Sequence, residues 1–478
     1  MVSEKRINIF IVTCCFIFSW WLFGKSFGYD NVKHAFRIAR NEVGDFGLHL
    51  SIIRSISLGN NFPPQSPFFP GRPLSYHWGT DVFIGILERI GVPIDWAING
   101  VSAVGMTILL WQIYVFSQIL FRRKLIGLAS IVLFLFPSTL TIVNYLRAPS
   151  NIWRLPDYID KGPFDGSSIS IYQTLNPYLN QRHLVVGLAI GLFVINYFLR
   201  KKPISSPKLI LLGLLVGMLY KVHSLIAIST ASIIFFQWLV FRKQWIVFFV
   251  MTLLVWVTIA LFEGLPKPLI SFYFGYLSTG NILAYWWMNM GLSLPFLLLG
   301  FYMVPKKARL VFLSFLPLFI IANTIQLSFR IEHNHSLINF FWIVVSTIVA
   351  FVLVKIFDRS KLVAVVLFGF LISSGILNLM AVKNDYQAYF DDGPQRIKKN
   401  TAPNAIFLTT RSLYDPAALA GRFTYVGPSY YLEVMGIDYQ ERAQFAADFY
   451  KNSQLFAQEA RERGIDYYIL PDGSIHAL

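Results

Sequence analysis

Asp45 and His49 stand four residues apart, where apolar residues begin to recur at helical spacing. On a helix they share one face, which sets a carboxylate beside an imidazole. That pairing suits a general base taking a proton from a hydroxyl, or a pair of metal ligands. It equally suits an N-cap, because Asp45 follows Gly44 at the start of the apolar periodicity. Glu42 adds a second acid three residues earlier, so a divalent cation, if one is used, would fall to Glu42 and Asp45. Tyr76, His77, Trp78 and Asp81 form a second polar and aromatic cluster. They read as contacts to a polar ligand or as an interfacial aromatic belt.

Arg182 follows Asn180 and Gln181 and precedes His183, at the edge of an apolar run. A guanidinium there can grip a phosphate bidentately at headgroup level or simply snorkel. Lys221 and His223 mark another such edge. Glu332, His333, Asn334 and His335 mark a third, where His333 and His335 could chelate a metal only in an extended turn. Charged groups at membrane depth cost about 2.5–3.5 kcal/mol each on insertion scales, so those present usually face a cavity or a partner.

The elements that must position these residues are mostly membrane spans. The chain has 478 residues, of which 55% are hydrophobic and 14% charged; soluble domains carry about 25% charged residues. Eleven windows are long and apolar enough to suggest spans: 7–23, 97–119, 125–143, 183–199, 208–222, 224–241, 245–262, 282–304, 310–329, 336–357 and 362–382. The pair 208–222 and 224–241 reads as one long helix or as a tight hairpin broken at Lys221–His223. The first window has a basic start but lacks a small-residue cleavage site, so it reads as a retained anchor rather than a removed signal peptide. Cys14 and Cys15, the only cysteines, are adjacent within it and supply no disulfide framework.

The net charge of +16 would suit a nucleic-acid binder, but its distribution excludes that class. With the N-terminus in the cytoplasm, the cytoplasmic segments hold 17 basic residues against Glu4 and Asp358. They are Lys5, Arg6, Arg122, Arg123, Lys124, Arg200, Lys201, Lys202, Lys208, Arg242, Lys243, Lys306, Lys307, Arg309, Lys355, Arg359 and Lys361. The rest of the chain is nearly neutral, with 24 basic and 23 acidic residues. The excess is therefore topological, as the positive-inside rule describes, rather than one basic face. This orientation puts all eight histidines on the outer side, with His34 and His476 among them.

The expected fold is a polytopic α-helical membrane protein of about eleven transmembrane helices. Residues 1–382 form the membrane domain, with a long structured first outer loop at 24–96 and a second at 144–182. Residues 383–478 form a small extracytoplasmic α/β domain. In the first loop, Phe46, Leu50, Ile53 and Ile56, and then Val82, Phe83, Ile86, Leu87 and Ile90, predict two helices lying on the membrane. Pro63, Pro64, Pro67, Pro70 and Pro73 forbid regular structure between them. In the tail, AIFLTT (405–410) and IDYYIL (465–470) read as strands. Residues 440–463 read as a helix with Phe445, Phe449, Leu455 and Phe456 on its apolar side. No internal repeat is evident.

Taken together, these residues resemble the GT-C superfamily of polytopic membrane glycosyltransferases, in its bacterial, polyprenyl-phosphate-dependent form. The likeness is carried by GDFGLH (44–49), by the Pro-rich NNFPPQSPFFPGRPLSYHWGTD (60–81), and by LNQRHLVVGLAIGL (179–192), YKVHS (220–224) and EHNHSLINFFW (332–342). In the tail it is carried by AGRFTYVG (420–427) and RGIDYYIL (463–470).

The resemblance implies an enzyme that moves a sugar, with inversion, from a polyprenyl-phosphate donor to a glycan, lipid or protein acceptor. The reaction would occur on the extracytoplasmic face of a bacterial inner membrane. Asp45, with His49, would serve as catalytic base. Arg182, His183 and His223 would hold the donor phosphate. Tyr76, His77, Trp78, His333 and His335 would contact sugar or acceptor, and Tyr425 and Tyr430 could stack on sugars. Glu42-x-x-Asp45 departs from the paired-acid form of the family motif. Two other readings fit the same residues: a transporter, flippase or polymerase for a lipid-linked glycan, and a non-catalytic glycan-binding assembly factor.

Overall fold

The computed structural model describes residues 4–147, 158, 169–170, 172, 174–200, 203–241, 245–263 and 270–478. Lys201, Lys202, Arg242, Lys243 and much of the second outer segment lie outside the described residues. The chain divides into two compact units. One comprises residues up to Lys25, Ser102–Thr258 and Pro268–Tyr386; the other is built chiefly from Ser26–Val101 and Gln387–Leu478.

The first unit is helical. Among the described residues, seven helices are long and apolar enough to cross a membrane: Glu4–Ser26, Ile94–Phe121, Arg182–Leu199, Ile246–Glu263, Lys306–Thr324, Ile331–Arg359 and Lys361–Asn384. The chain is therefore a helical membrane protein. The apolar stretch of Ile331–Arg359 is buried on every side by its neighbours, as such a stretch must be in a protein core. Ile246–Glu263 is equally apolar but leaves Val250, Leu253, Leu254, Val257 and Leu261 exposed. In water that stripe would be an aggregation liability; facing acyl chains it costs nothing, because its backbone bonds are satisfied within the helix.

Each of the eleven windows overlaps helix, but not all are unbroken spans, and 310–329 runs past the end of Lys306–Thr324 into the short strand Ile325–Gln326. The window 125–143 contains Lys124–Leu135, which stops ahead of Pro137, and then Ile142–Arg147. The window 282–304 contains Ile282–Met290 and Ser293–Met303, bent by 90°. Gly291 makes that bend with a φ of 49°, and a Cβ there would lie 2.9 Å from the Ser138 carbonyl oxygen. With the bent pair counted as one span the total is eight. Ser206–Val222 and Ser224–Phe241 are separate helices packed against each other as a hairpin, with His223 extended between them.

Close helix packing rests on small residues. A Cβ on Gly213 would sit 2.6 Å from the Phe248 carbonyl oxygen, and one on Gly217 2.5 Å from Val255. Glycines four apart let backbones approach where lipid provides no hydrophobic drive. One end of this unit gathers the basic set: Lys124 pairs with Glu4 at 3.2 Å and Arg123 with Asp358 at 2.5 Å. Lys307 donates to the Leu199 carbonyl at 3.0 Å.

The second unit joins the first loop to the C-terminal segment, so 383–478 does not fold apart from 24–96. Strand Phe27–Asp30 pairs antiparallel with Ala35–Ala39, which pairs antiparallel with Gln387–Asp391. A four-stranded sheet follows in the order Phe423–Thr424, Ile406–Leu408, Tyr467–Ile469 and Ile475–Ala477; only the last pairing is antiparallel. The tail strands thus lie where the periodicity puts them. The helix expected over 440–463 is two, Gln440–Lys451 and Ser453–Glu462. Asn452 caps the second by accepting from the Leu455 amide at 3.2 Å, and Leu455 is exposed.

The helix Val43–Ser57 departs from expectation. Phe46, Leu50, Ile53 and Ile56 are buried, and the first three pack with Phe27, Phe36 and Ile84 rather than against lipid. Amphipathic spacing shows that a face is buried and leaves open what buries it. The helix Gly79–Arg89 does present an apolar row, with Phe83 and Ile86 exposed and Ile90 beyond its end. The Pro-rich stretch between them is held by backbone contacts. The Pro67 carbonyl accepts from the Thr424 amide at 2.8 Å, and the Pro70 carbonyl accepts from Arg442 at 3.3 Å.

Candidate active site

The second unit brings Asp45, His49, Tyr76 and His77 together and adds Asp81. Asp45 lies in the first turn of Val43–Ser57; Glu42 takes the cap position and makes no side-chain cap bond. Asp45 is therefore no N-cap, and its carboxylate points along the same face as His49 one turn later. Asp81 comes from the first turn of Gly79–Arg89. His49 Nδ1 meets Asp81 Oδ2 at 2.8 Å, with the two side chains 12% and 5% exposed. The Tyr76 ring lies 5.8 Å from that of His49 and 5.1 Å from that of His77.

Three tyrosines frame the start of the helix. Tyr414 donates to the Val43 carbonyl at 2.7 Å and Tyr431 to the Gly44 carbonyl at 3.1 Å. Gly47 makes this approach possible, because a Cβ there would lie 2.3 Å from the Leu413 carbonyl oxygen and 2.5 Å from the Tyr431 hydroxyl. Tyr76 is the third, and the charges of Asp45 and Asp81 both act on it.

Burial sets the electrostatics. Asp45 keeps some surface, yet the protein around it strips enough water to raise its carboxyl above the ordinary range; the charge of His49 opposes that rise. Asp81 is raised by burial as well, against the charge and hydrogen bond of His49. Tyr76 is held well above its usual value, first by burial and then by the two carboxylates. Desolvation penalises a charge wherever the site closes, and an imidazolium between two acids is the natural compensation. Perturbed acids beside a histidine at a half-open site have the character of a functional cluster.

Asp81 is the member that sequence reasoning left without a role. Its spacing from His49 is 32 residues, which no local pattern encodes. The only signal was its place next to Tyr76, His77 and Trp78. A second buried network escaped notice entirely. Arg54 pairs with Glu88 at 3.2 Å and approaches Asp392 at 3.9 Å, while Asp392 pairs with Lys398 at 3.2 Å and accepts from Tyr29 at 2.7 Å. This network ties the two loop helices to the chain just after the strand Gln387–Asp391.

Glu42 is buried, 2% exposed. Among the described residues of this unit, no three His, Cys, Asp or Glu donors converge on one point. A divalent cation here would take most of its ligands from water or phosphate oxygens. Trp78 is half-buried ahead of Gly79–Arg89 and packs beside Tyr76 on the apolar cluster of this unit. Tyr425 is closed to a sugar: it is buried, the Arg442 guanidinium covers its ring at 4.8 Å, and Arg463 donates to its hydroxyl at 3.0 Å.

The helical unit holds the remaining candidates. Arg182 is buried at the start of Arg182–Leu199. It donates to the Leu179 and Phe23 carbonyls at 3.3 Å each and lies 4.9 Å over the Phe23 ring. His183 and His223 are both buried with rings 5.4 Å apart, and His223 Nε2 meets Ser336 Oγ at 3.2 Å. Phe23 ends the helix that begins at Glu4, so this cluster lies at the end of the unit away from the Lys124–Glu4 pair. His333 and His335 go separate ways: His333 Nδ1 meets Ser328 Oγ at 2.6 Å, and His335 stacks on Tyr172 at 5.0 Å. No chelating turn forms from these two. Asn334 is buried and donates to the Ile325 carbonyl at 2.7 Å, which closes it to glycosylation. Compared with known proteins, the chain matches no family model and no curated sequence.

Proposed function

We propose that this chain is an inverting glycosyltransferase that takes a sugar from a polyprenyl-phosphate donor on the extracytoplasmic face of the membrane. The observation that carries the reading is the Asp45–His49–Asp81 cluster in a tyrosine-framed site of a helical membrane protein. Asp45 accepts the proton of the acceptor hydroxyl as its oxygen attacks the anomeric carbon. The bond from that carbon to the donor phosphate oxygen breaks, and its electrons leave with the polyprenyl phosphate. His49, anchored by Asp81, supplies the positive charge that keeps Asp45 ionised while it waits. Arg182 is the proposed partner of the donor phosphate, since a guanidinium matches phosphate geometry. The charge partition supports eleven crossings with the N-terminus and the basic end in the cytoplasm.

A lipid-linked-glycan transporter is the second reading, favoured by the 90° bend within Ile282–Met303. That stretch carries no Asp, Glu, Lys, Arg or His, whereas transport paths through membranes are usually marked by such residues. The test is sugar transfer in proteoliposomes containing polyprenyl-phosphate hexoses and a lysate-derived acceptor pool. Wild type should transfer label, and Asp45→Asn should lose it while inserting at the same level. Full activity in Asp45→Asn removes Asp45 as base. Movement of intact lipid-linked glycan across the bilayer without transfer establishes the transporter instead.

A further inference from the structure

The second unit also contains an open cavity of about 460 Å³. Its walls come from Val43, the strand residues Tyr389, Phe390 and Asp391, and the turn holding Ser412 and Tyr414. We propose that this cavity binds a neutral glycan, the non-reacting part of the acceptor for the transfer proposed above.

The lining has the chemistry of a sugar site. Phe390 and Tyr414 stack at 3.6 Å with their planes 11° apart, a rigid aromatic slab. Tyr389 precedes Phe390 on the strand, so its side chain leaves the opposite face of the sheet; it lines the cavity and is 45% exposed. Lys33 sits over the Tyr389 ring at 3.8 Å, and Arg37 lies opposite Tyr389 in the strand register. Together they hold the ring at the end of a hairpin. Aromatic planes take the C–H faces of pyranose rings as they take other weakly polar groups. The exposed Asp391 carboxylate and Ser412 hydroxyl provide acceptors and a donor for sugar hydroxyls. Asp391 is oriented by the Gly393 amide, which donates to it at 2.7 Å. A purely apolar ligand would leave that carboxylate desolvated, and an anionic one would face it directly. Small-ligand sites span about 300–1,000 Å³, so the cavity has room for two or three sugar units.

Position links the cavity to the reaction. Val43 lines it, and Asp45 is two residues further along the same helix turn. That is about 5–6 Å between Cα atoms, about the length of one sugar, although side chains two apart on a helix do not share a face. Tyr414 forms part of the wall and also holds the Val43 carbonyl. The charge of Asp45 acts on Tyr414, so a glycan lying in the cavity would reach the end of the helix that carries Asp45. The inference rests on the glycosyltransferase reading for its role but not for its binding.

The experiment uses the full chain in detergent and a panel of neutral trisaccharides: maltotriose, chitotriose and mannotriose. Binding is read by calorimetry on wild type, Tyr389→Ala and Asp391→Asn. At least one sugar should bind wild type. Tyr389→Ala and Asp391→Asn, both at exposed positions, should weaken it about tenfold or more. Failure of all three sugars to bind overturns the proposal. So does binding that Tyr389→Ala and Asp391→Asn leave unchanged. Transfer activity is scored separately. Loss of transfer in Asp45→Asn with groove variants indifferent to acceptor concentration refutes the cavity alone. Sugar binding in the cavity without transfer by wild type refutes the enzyme alone.

Discussion

The Asp81→Asn variant tests the arrangement of the candidate site most directly. The substitution keeps the shape of a side chain that is 5% exposed and removes its negative charge 2.8 Å from His49 Nδ1. At an effective dielectric constant of about 20, two unit charges 2.8 Å apart attract by roughly 6 kcal/mol. Most of that is offset by the water each gave up. A hydrogen bond to a charged group nets about 1.5–3 kcal/mol, a neutral one about 0.5–1.5. The variant should therefore weaken the interaction that holds the His49 imidazolium by about 1.5 kcal/mol. His49 is the charge that opposes the desolvation of Asp45. With that charge weakened, the Asp45 carboxyl holds its proton to higher pH.

The assay is the initial rate of sugar transfer in proteoliposomes between pH 5.5 and about 8.5, a window chosen around the range in which histidine titrates. The acid limb of the profile should move to higher pH, with a rate loss on the acid side that alkali restores. A merely structural role for Asp81 would lower the rate by the same factor at every pH. A uniform loss, or an unmoved acid limb, refutes the chain of reasoning from Asp81 through His49 to Asp45.

Other substitutions probe the scaffold. Glu88→Gln leaves Arg54 buried with its nearest carboxylate at 3.9 Å, so it should cost about 3 kcal/mol; a thermal melt within experimental error of wild type would contradict this. Gly47→Ala drives a methyl group into the Leu413 carbonyl and the Tyr431 hydroxyl and should destabilise by about 1–3 kcal/mol; a soluble, active variant with unchanged melting would show that the turn yields freely. Asp415 is buried with its carboxyl raised to about 6, against the bonds it accepts from Thr409, Ala418 and Ala417. The folded state thus holds this proton more tightly than the unfolded one, so wild-type stability falls as pH rises from about 4 to about 6. A shift from 3.8 to about 6 amounts to about 3 kcal/mol. Asp415→Asn should match wild type at pH 4 and exceed it at pH 7 in melting temperature; the opposite trend would show that the charged form is the one the fold favours.

Local patterns carried some parts of this architecture and not others. Apolar windows located each of the seven membrane-length helices among the described residues, because lipid demands about 20 apolar residues wherever the chain crosses. They could not show that 282–304 bends at Gly291, since a bend there depends on how near the Ser138 carbonyl comes. The Asp45–His49 spacing was legible because a helix repeats every 3.6 residues. The face of Val43–Ser57 was legible too, but its partner was not: Phe46 and Leu50 meet Phe27 and Phe36, from a strand that pairs with residues 387–391. Pairing across some 350 residues leaves no periodic trace.

The amino-acid sequence by itself determined that this is a helical membrane protein and that a long, proline-rich loop near its start carries acids and histidines. Those features follow from composition and short-range repeats, which each residue expresses without reference to distant parts of the chain. Tertiary structure alone decided that Asp81 anchors His49 and that the tail folds with the loop. It likewise decided that Tyr389, Phe390 and Tyr414 wall a cavity that also touches Val43, two residues from Asp45. These depend on which surfaces meet when the chain compacts, and many sequences share the same local patterns while packing them differently.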